Sequence, residues 1–130
     1  MRVQSLLGLF LLALATACGP AGDRAEQHIH RANGLIRDGD YAQAVLELRA
    51  AAQLRPDDQS LTLQIASTFA KAGDRESASE YYEEAYALNP DDLEVAVAYA
   101  NALADSNPTR AAELTQEVLQ QDRQPDDLQL

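Results

Sequence analysis

In a chain of 130 residues, ten Lys and Arg stand against 21 Asp and Glu, a formal charge of −11. This balance excludes the clustered basic surface that nucleic-acid backbones require. The length makes one domain, and abundant Ala with no Trp and only seven aromatic residues suits closely packed helices. A single Cys rules out an intramolecular disulfide.

Residues 1–17 read as an export signal. Arg2 supplies a minimal positive start, and Leu6 to Leu14 is an apolar stretch of signal-peptide length, too short to span a bilayer. Ala15-Thr16-Ala17 is a small-x-small cleavage site, which leaves Cys18 as a free N-terminal thiol. The same residues, Leu14-Ala15-Thr16-Ala17-Cys18, also resemble a bacterial lipobox, with Ala15 where Leu is usual. That resemblance implies that Cys18 is lipidated on sulfur and becomes the mature N-terminus. The placement of the lone Cys at the cleavage site favours lipidation, since an unpaired exposed thiol is a liability in an oxidising compartment. Several acyl chains, at about 0.8 kcal/mol per buried methylene, hold a protein stably where one chain binds reversibly. Gly19, in place of the Asp that retains such lipoproteins at the inner membrane, implies the periplasmic face of the outer membrane. A soluble periplasmic protein is the alternative. Loss of Arg2 with the leader makes the charge one unit more negative, so a lipid tether must hold the chain against an anionic surface.

Residues 18–23 read as the lipidated Cys and a short linker, in which Gly19, Pro20 and Gly22 break any helix. From Arg24 the spacing predicts six helices in three hairpins, over residues 24–130. The first runs to about Asp38 and is closed by Gly39. Asp40 caps the second, which ends near Leu54 before Pro56. Asp58 or Gln59 opens the third, Gly73-Asp74 repeats the stop and cap, and the fourth ends near Leu88. The fifth is expected over about Asp92 to Asp105, and Ser106 or Asn107 caps the sixth with Pro108 in its first turn.

These elements repeat. Pro56-Asp57-Asp58 returns as Pro90-Asp91-Asp92 after 34 residues and as Pro125-Asp126-Asp127 after 35. Ala32, Ala66 and Ala100 share the 34-residue spacing, as do Leu35, Phe69 and Leu103, and Ala44, Ala78 and Ala112. A period of this length marks a stacked architecture in which each unit needs neighbours to cover its apolar face. The three units span about 25–58, 59–92 and 93–127. The two alanine sets are expected where paired helices cross most closely, and Tyr81, Tyr82 and Tyr86 between helices.

The middle unit carries Thr62, Ile65-Ala66, Phe69, Ala78, Tyr82 and Pro90. The first carries His28, Arg31-Ala32, Leu35, Ala44, Leu48 and Pro56, and the third Ala96, Tyr99-Ala100, Leu103, Ala112, Gln116 and Pro125. This pattern resembles the tetratricopeptide repeat (TPR) family, and it is similar to small bacterial TPR lipoproteins. The resemblance implies an all-α superhelix whose concave face, lined by the first helix of each pair, binds extended peptides or helices. The matching positions are Ile29, Leu63 and Val97; Asn33, Ser67 and Asn101; and Arg37, Lys71 and Asp105. Family members that clamp a terminal carboxylate use Lys and Asn there. Asn33, Asn101, Arg37 and Lys71 match in kind, whereas Ile29 replaces a clamp Lys and Asp105 opposes a carboxylate. Arg37 and Lys71 also suit the last turn of a helix, where the macrodipole favours a cation.

Catalytic chemistry is not legible. His28 and His30 lie about 200° apart around a helix, not on one metal-binding face. The paired aspartates after each Pro read as helix caps rather than as a cation site. No nucleophile with a base and no phosphate loop is present. The expectation is a non-enzymatic adaptor that needs no cofactor and binds another protein of the cell envelope, with end-to-end self-stacking or service as a regulatory subunit as alternatives. After Pro125 only five residues remain, less than two helical turns and too short to be stable alone. Part of the sixth-helix stripe Ala111, Leu114, Val118 and Leu119 is therefore expected to have nothing to pack against, an exposed apolar edge that supports weak self-association.

Overall fold

The computed structural model describes residues 20–122. These form six helices: α1 (Pro20–Asp38), α2 (Tyr41–Leu54), α3 (Gln59–Ala72), α4 (Arg75–Leu88), α5 (Leu93–Leu103) and α6 (Pro108–Asp122). Turns of two to four residues join them, so successive helices fold back antiparallel and the odd-numbered helices run in one direction. Each helix packs on the one before and the one after. The result is an all-α superhelix of three hairpins. Cys18, the leader and the third Pro-Asp-Asp triplet lie outside the described residues. No described helix is long and apolar enough to cross a membrane.

The turn chemistry explains why the chain folds back where it does. Gly39 and Gly73 adopt φ of 80° and 82°, a left-handed conformation that costs Gly little and other residues more. In both turns the Gly N–H donates to the carbonyl three residues back, Ile36 or Ala70, and the next N–H donates to Leu35 or Phe69. The following Asp then caps the next helix: Oδ1 of Asp40 accepts from the Gln43 N–H at 3.2 Å, and that of Asp74 from the Ser77 N–H at 3.1 Å. The second Asp of each triplet has the same job, for Asp58 accepts from Leu61 N–H and Asp92 from Glu94 and Val95 N–H. In both described pairs the second aspartate is a helix cap.

Two boundaries differ from the sequence reading. Pro20 to Asp23, expected in the linker, are the first turn of α1. Pro is pre-set for a first helical position, where its missing N–H has no partner to lose, and Asp23 favours the positive end of the helix. The third hairpin lacks a Gly at its turn. α5 therefore ends at Leu103, before the expected Asp105, and Asn107 N–H donates to Leu103 O at 2.7 Å. Asn107 caps α6 through its Oδ1, accepting from Arg110 N–H.

The shorter α5 changes the register of the third unit. The caps Asp40 and Asp74 are 34 residues apart, but Asp74 and Asn107 are 33 apart. Four residues past each cap lie Ala44, Ala78 and Ala111, all buried, whereas Ala112 is exposed. Ala111, and not Ala112, is thus the close-crossing residue, and Thr115 takes the place assigned to Gln116. Ala32, Ala66 and Ala100 are buried as expected.

The interior divides into two clusters. Ala25, Ala32, Leu48, Ala51, Leu61 and Ile65 bury together across α1 to α3, with Phe69 and Tyr81 packed alongside and their rings stacked 5.5 Å apart. Tyr99, Ala100, Leu103, Ala111 and Leu114 form the second, covered by Tyr82 and Tyr86. Tyr86 and Tyr99 lie 5.9 Å apart, and Tyr86 donates its hydroxyl to Glu117. The three α4 tyrosines are packing residues, as their spacing predicts. Leu114 is fully buried in the second cluster, so it is no part of an open edge. Leu119 lies five residues past Leu114, about 140° further around the helix, and faces outward, 51% exposed.

Candidate functional site: the face of the odd-numbered helices

Between α3 and α5 lies an open depression of about 470 Å³. α3 contributes Ser60, Leu63, Gln64 and Ser67; α5 and its cap contribute Asp92, Glu94, Val95 and Ala98, with Tyr82 of α4 between them. The walls mix apolar and polar groups. Burial pushes the Tyr82 phenol up from its ordinary pKa, so Tyr82 offers a neutral ring.

The predicted groove positions divide when set against this geometry. Leu63 and Ser67 line the depression. Ile29 packs against the first core cluster, and Asn33 Oδ1 accepts a 2.6 Å hydrogen bond from Gln64 Nε2, which ties α1 to α3. Val97, 45% exposed, and Asn101, also exposed, stand on the surface of α5 outside the depression. Arg37 and Lys71 occupy the last turns of α1 and α3. Both are exposed and form no ion pair among the described residues. Asp105 does not stand as a bare charge opposing a carboxylate, because Arg75 pairs with it.

Sequence reasoning missed Gln64, Tyr82, Asp92 and Glu94. A signal for one of them was present: Glu26, Ser60 and Glu94 form another 34-spaced row, one turn before Ile29, Leu63 and Val97. Asp92 was assigned to capping alone, and that assignment holds without exhausting its role.

The face divides electrostatically. Because the odd helices run in one direction, Arg37 and Lys71 mark the edge where they end, and Asp92 and Glu94 mark the edge where α5 begins. Elsewhere several charges are paired among the described residues. Glu47 lies 2.6 Å from His28 Nδ1 and accepts from Arg31 Nε at 3.0 Å, and Arg110 reaches both Glu113 and Glu117 at 3.2 Å. The hydrogen bond from His28, then the hydrogen bond and charge of Arg31, hold the Glu47 carboxyl below its usual range. No group of three or more His, Cys, Asp or Glu among the described residues could hold a metal ion.

A stack of helical hairpins with a mixed-polarity groove defines a helical-repeat protein. Residues 60–102 match the tetratricopeptide repeat family. No curated protein matches the chain in sequence. Among solved structures, the crystal structure of MamA is similar with a TM-score of 0.68 at 15% identity, over 75% of this chain and 58% of that one. The first TPR of Spaghetti (RPAP3), bound to the HSP90 peptide SRMEEVD, is similar with a TM-score of 0.66 at 19% identity, over 82% of this chain and 83% of that one. The chain spans less than two thirds of MamA. Residues 60–102 thus carry a tetratricopeptide repeat, and the six helices have the fold of a stack of such repeats.

Proposed function

We propose that the chain is a non-enzymatic protein-interaction adaptor, which receives a segment of a partner protein on the face of its odd-numbered helices. The observation that carries this reading is the open depression between α3 and α5, where Leu63 and Ser67 face Ala98 above the buried Val95. A similar fold, the first TPR of RPAP3, holds a peptide. The test is site-specific crosslinking in cells. A photoreactive residue at position 63 should capture a partner that the same residue at Gln43, exposed on α2, does not. Equal capture from both positions would remove the groove from the function.

Cys18, as the lipidated residue, would tether this adaptor to a bacterial envelope membrane, on the periplasmic face of the outer membrane. The sequence of the leader and the position of the lone Cys support that reading. Cys18→Ala should release the protein from the membrane fraction and abolish labelling by a fatty-acid analogue. A wild-type chain that takes no label and stays soluble would refute the anchor.

A second reading, weak self-association through α6, is favoured by Leu119 on its outer face. Leu119→Glu should then reduce a concentration-dependent dimer seen by sedimentation, and a wild-type monomer at every concentration would end it.

A further inference from the structure

We propose that the depression between α3 and α5 is a seat for an arginine side chain of the partner segment; this rests on the groove reading above. The template is the chain's own first junction. There Arg55, at the end of α2, reaches across the edge between α1 and α3: one guanidinium nitrogen donates to Glu26 Oε1 at 2.8 Å and to Gly22 O at 3.4 Å. The other lies 3.9 Å from Asp58 Oδ2. The cation therefore serves a carboxylate on the preceding odd helix and the cap of the next.

Moving one period along the chain keeps the frame and removes the cation. Arg55 becomes Asn89, Asp58 becomes Asp92, and Glu26 becomes Ser60. The backbone at the two positions is alike, φ −139° and ψ 72° at Arg55 against φ −151° and ψ 89° at Asn89. Asp92 caps its helix with Oδ1, as Asp58 does. Ser60 and Asp92 both line the depression, so the open volume lies beside the counterparts of the groups that Arg55 bridges. The missing carboxylate of position 60 is replaced from the other side, because Glu94 stands where the preceding unit has Ser60.

Charge and shape agree on the occupant. Neither Asp92 nor Glu94 has a cationic partner among the described residues, unlike Glu26 and Asp58 at the first junction, which Arg55 bridges. Lys71, on the same helix as Ser60, is eleven residues further on, about 16 Å at 1.5 Å per residue. It leaves the acidic edge unneutralised. Leu63, Tyr82 and Ala98 offer apolar surface to the methylene stem of a long cationic side chain, whose planar head meets the carboxylates at the mouth.

The test uses the full chain in detergent and a fluorescent eight-residue peptide of Ala and Ser with one central Arg. Identical peptides with Lys, Leu or Glu at that place are the controls. Anisotropy should show the Arg peptide binding about tenfold or more tighter than the Glu peptide, with affinity falling as salt rises. Asn89→Arg, which supplies the guanidinium internally, should abolish the preference and raise Tm. Asp92→Asn keeps a good N-cap, removes the charge and should weaken Arg-peptide binding without unfolding the domain. Equal binding of all four peptides, a Lys peptide that binds as well as the Arg peptide, or an Arg preference that survives Asn89→Arg would each overturn the seat. Crosslinking from position 63 would be untouched by any of these, so the seat can fail while the adaptor reading stands.

Discussion

Ala111 and Ala112 are neighbours of the same type, and only one of them is buried. The 34-residue period selects Ala112; the cap at Asn107, which shifts the helix start by one residue, selects Ala111. Adding a Leu side chain at Ala111 forces the tight crossing against Leu103 and the tyrosines apart, at a cost of about 1 to 3 kcal/mol. Thermal melts should show Ala111→Leu well below wild type and Ala112→Leu close to it; the reverse order would restore the strict period. Glu47 gives a second single-residue test. Its folded pKa lies below the unfolded value, so its contribution is present above the ordinary glutamate range and is lost as pH falls through the folded value. The Tm gap between wild type and Glu47→Gln should therefore be full at neutral pH and close on acidification below about pH 4. A gap that does not change with pH would mean that the pairing with His28 and Arg31 adds nothing.

At the scale of an element, what was legible in the sequence was whatever local chemistry decides. Gly39, Gly73 and the capping aspartates punctuate the helices by their own backbone preferences, so α2, α3 and α4 fall where the residues alone place them. The end of α5 was not legible to within a turn, because no Gly stops it and the break depends on how α6 docks. The groove was half legible for a related reason. Periodicity finds residues that share a face, as with Leu63 and Ser67, but it cannot say that Gln64 would reach across to Asn33 or that Tyr82 would border the depression from α4. The turn chemistry is open to test. A Cβ added at Gly73 meets nothing within 4 Å, so Gly73→Ala should cost only the left-handed backbone penalty of about 1 to 2 kcal/mol. Ala104, at the corresponding end of α5, is right-handed with φ −52°. Ala104→Gly should give no gain in Tm, and a clear stabilisation would show that α5 ends as α3 does.

For the whole molecule, the two core clusters make stability uneven along the stack. The first joins three helices, with partly buried Ile29, Ile36, Ala52, Leu54, Phe69 and Tyr81 around it, while among the described residues the second has Tyr82 and Tyr86 as such support. Its hairpin also carries the shortest helix, α5 with 11 residues, and lacks a left-handed Gly closure. A stack in which each unit contacts only its neighbours opens in parts, and the part with the least buried apolar surface opens first. Amide hydrogen exchange on the full chain should therefore run faster in α5 and α6 than in α2 and α3. Variants separate this from simple end-fraying. Ala111→Leu should accelerate exchange in α5 and α6 while leaving α2 near its wild-type rate, because its effect stays within the last hairpin. Ala66→Leu sits in the central unit, which has a neighbour on each side, and should accelerate exchange in α2 as well as in α4. If Ala111→Leu sped exchange equally in all six helices, the domain would unfold as one cooperative unit, and the division into two clusters would carry no energetic meaning.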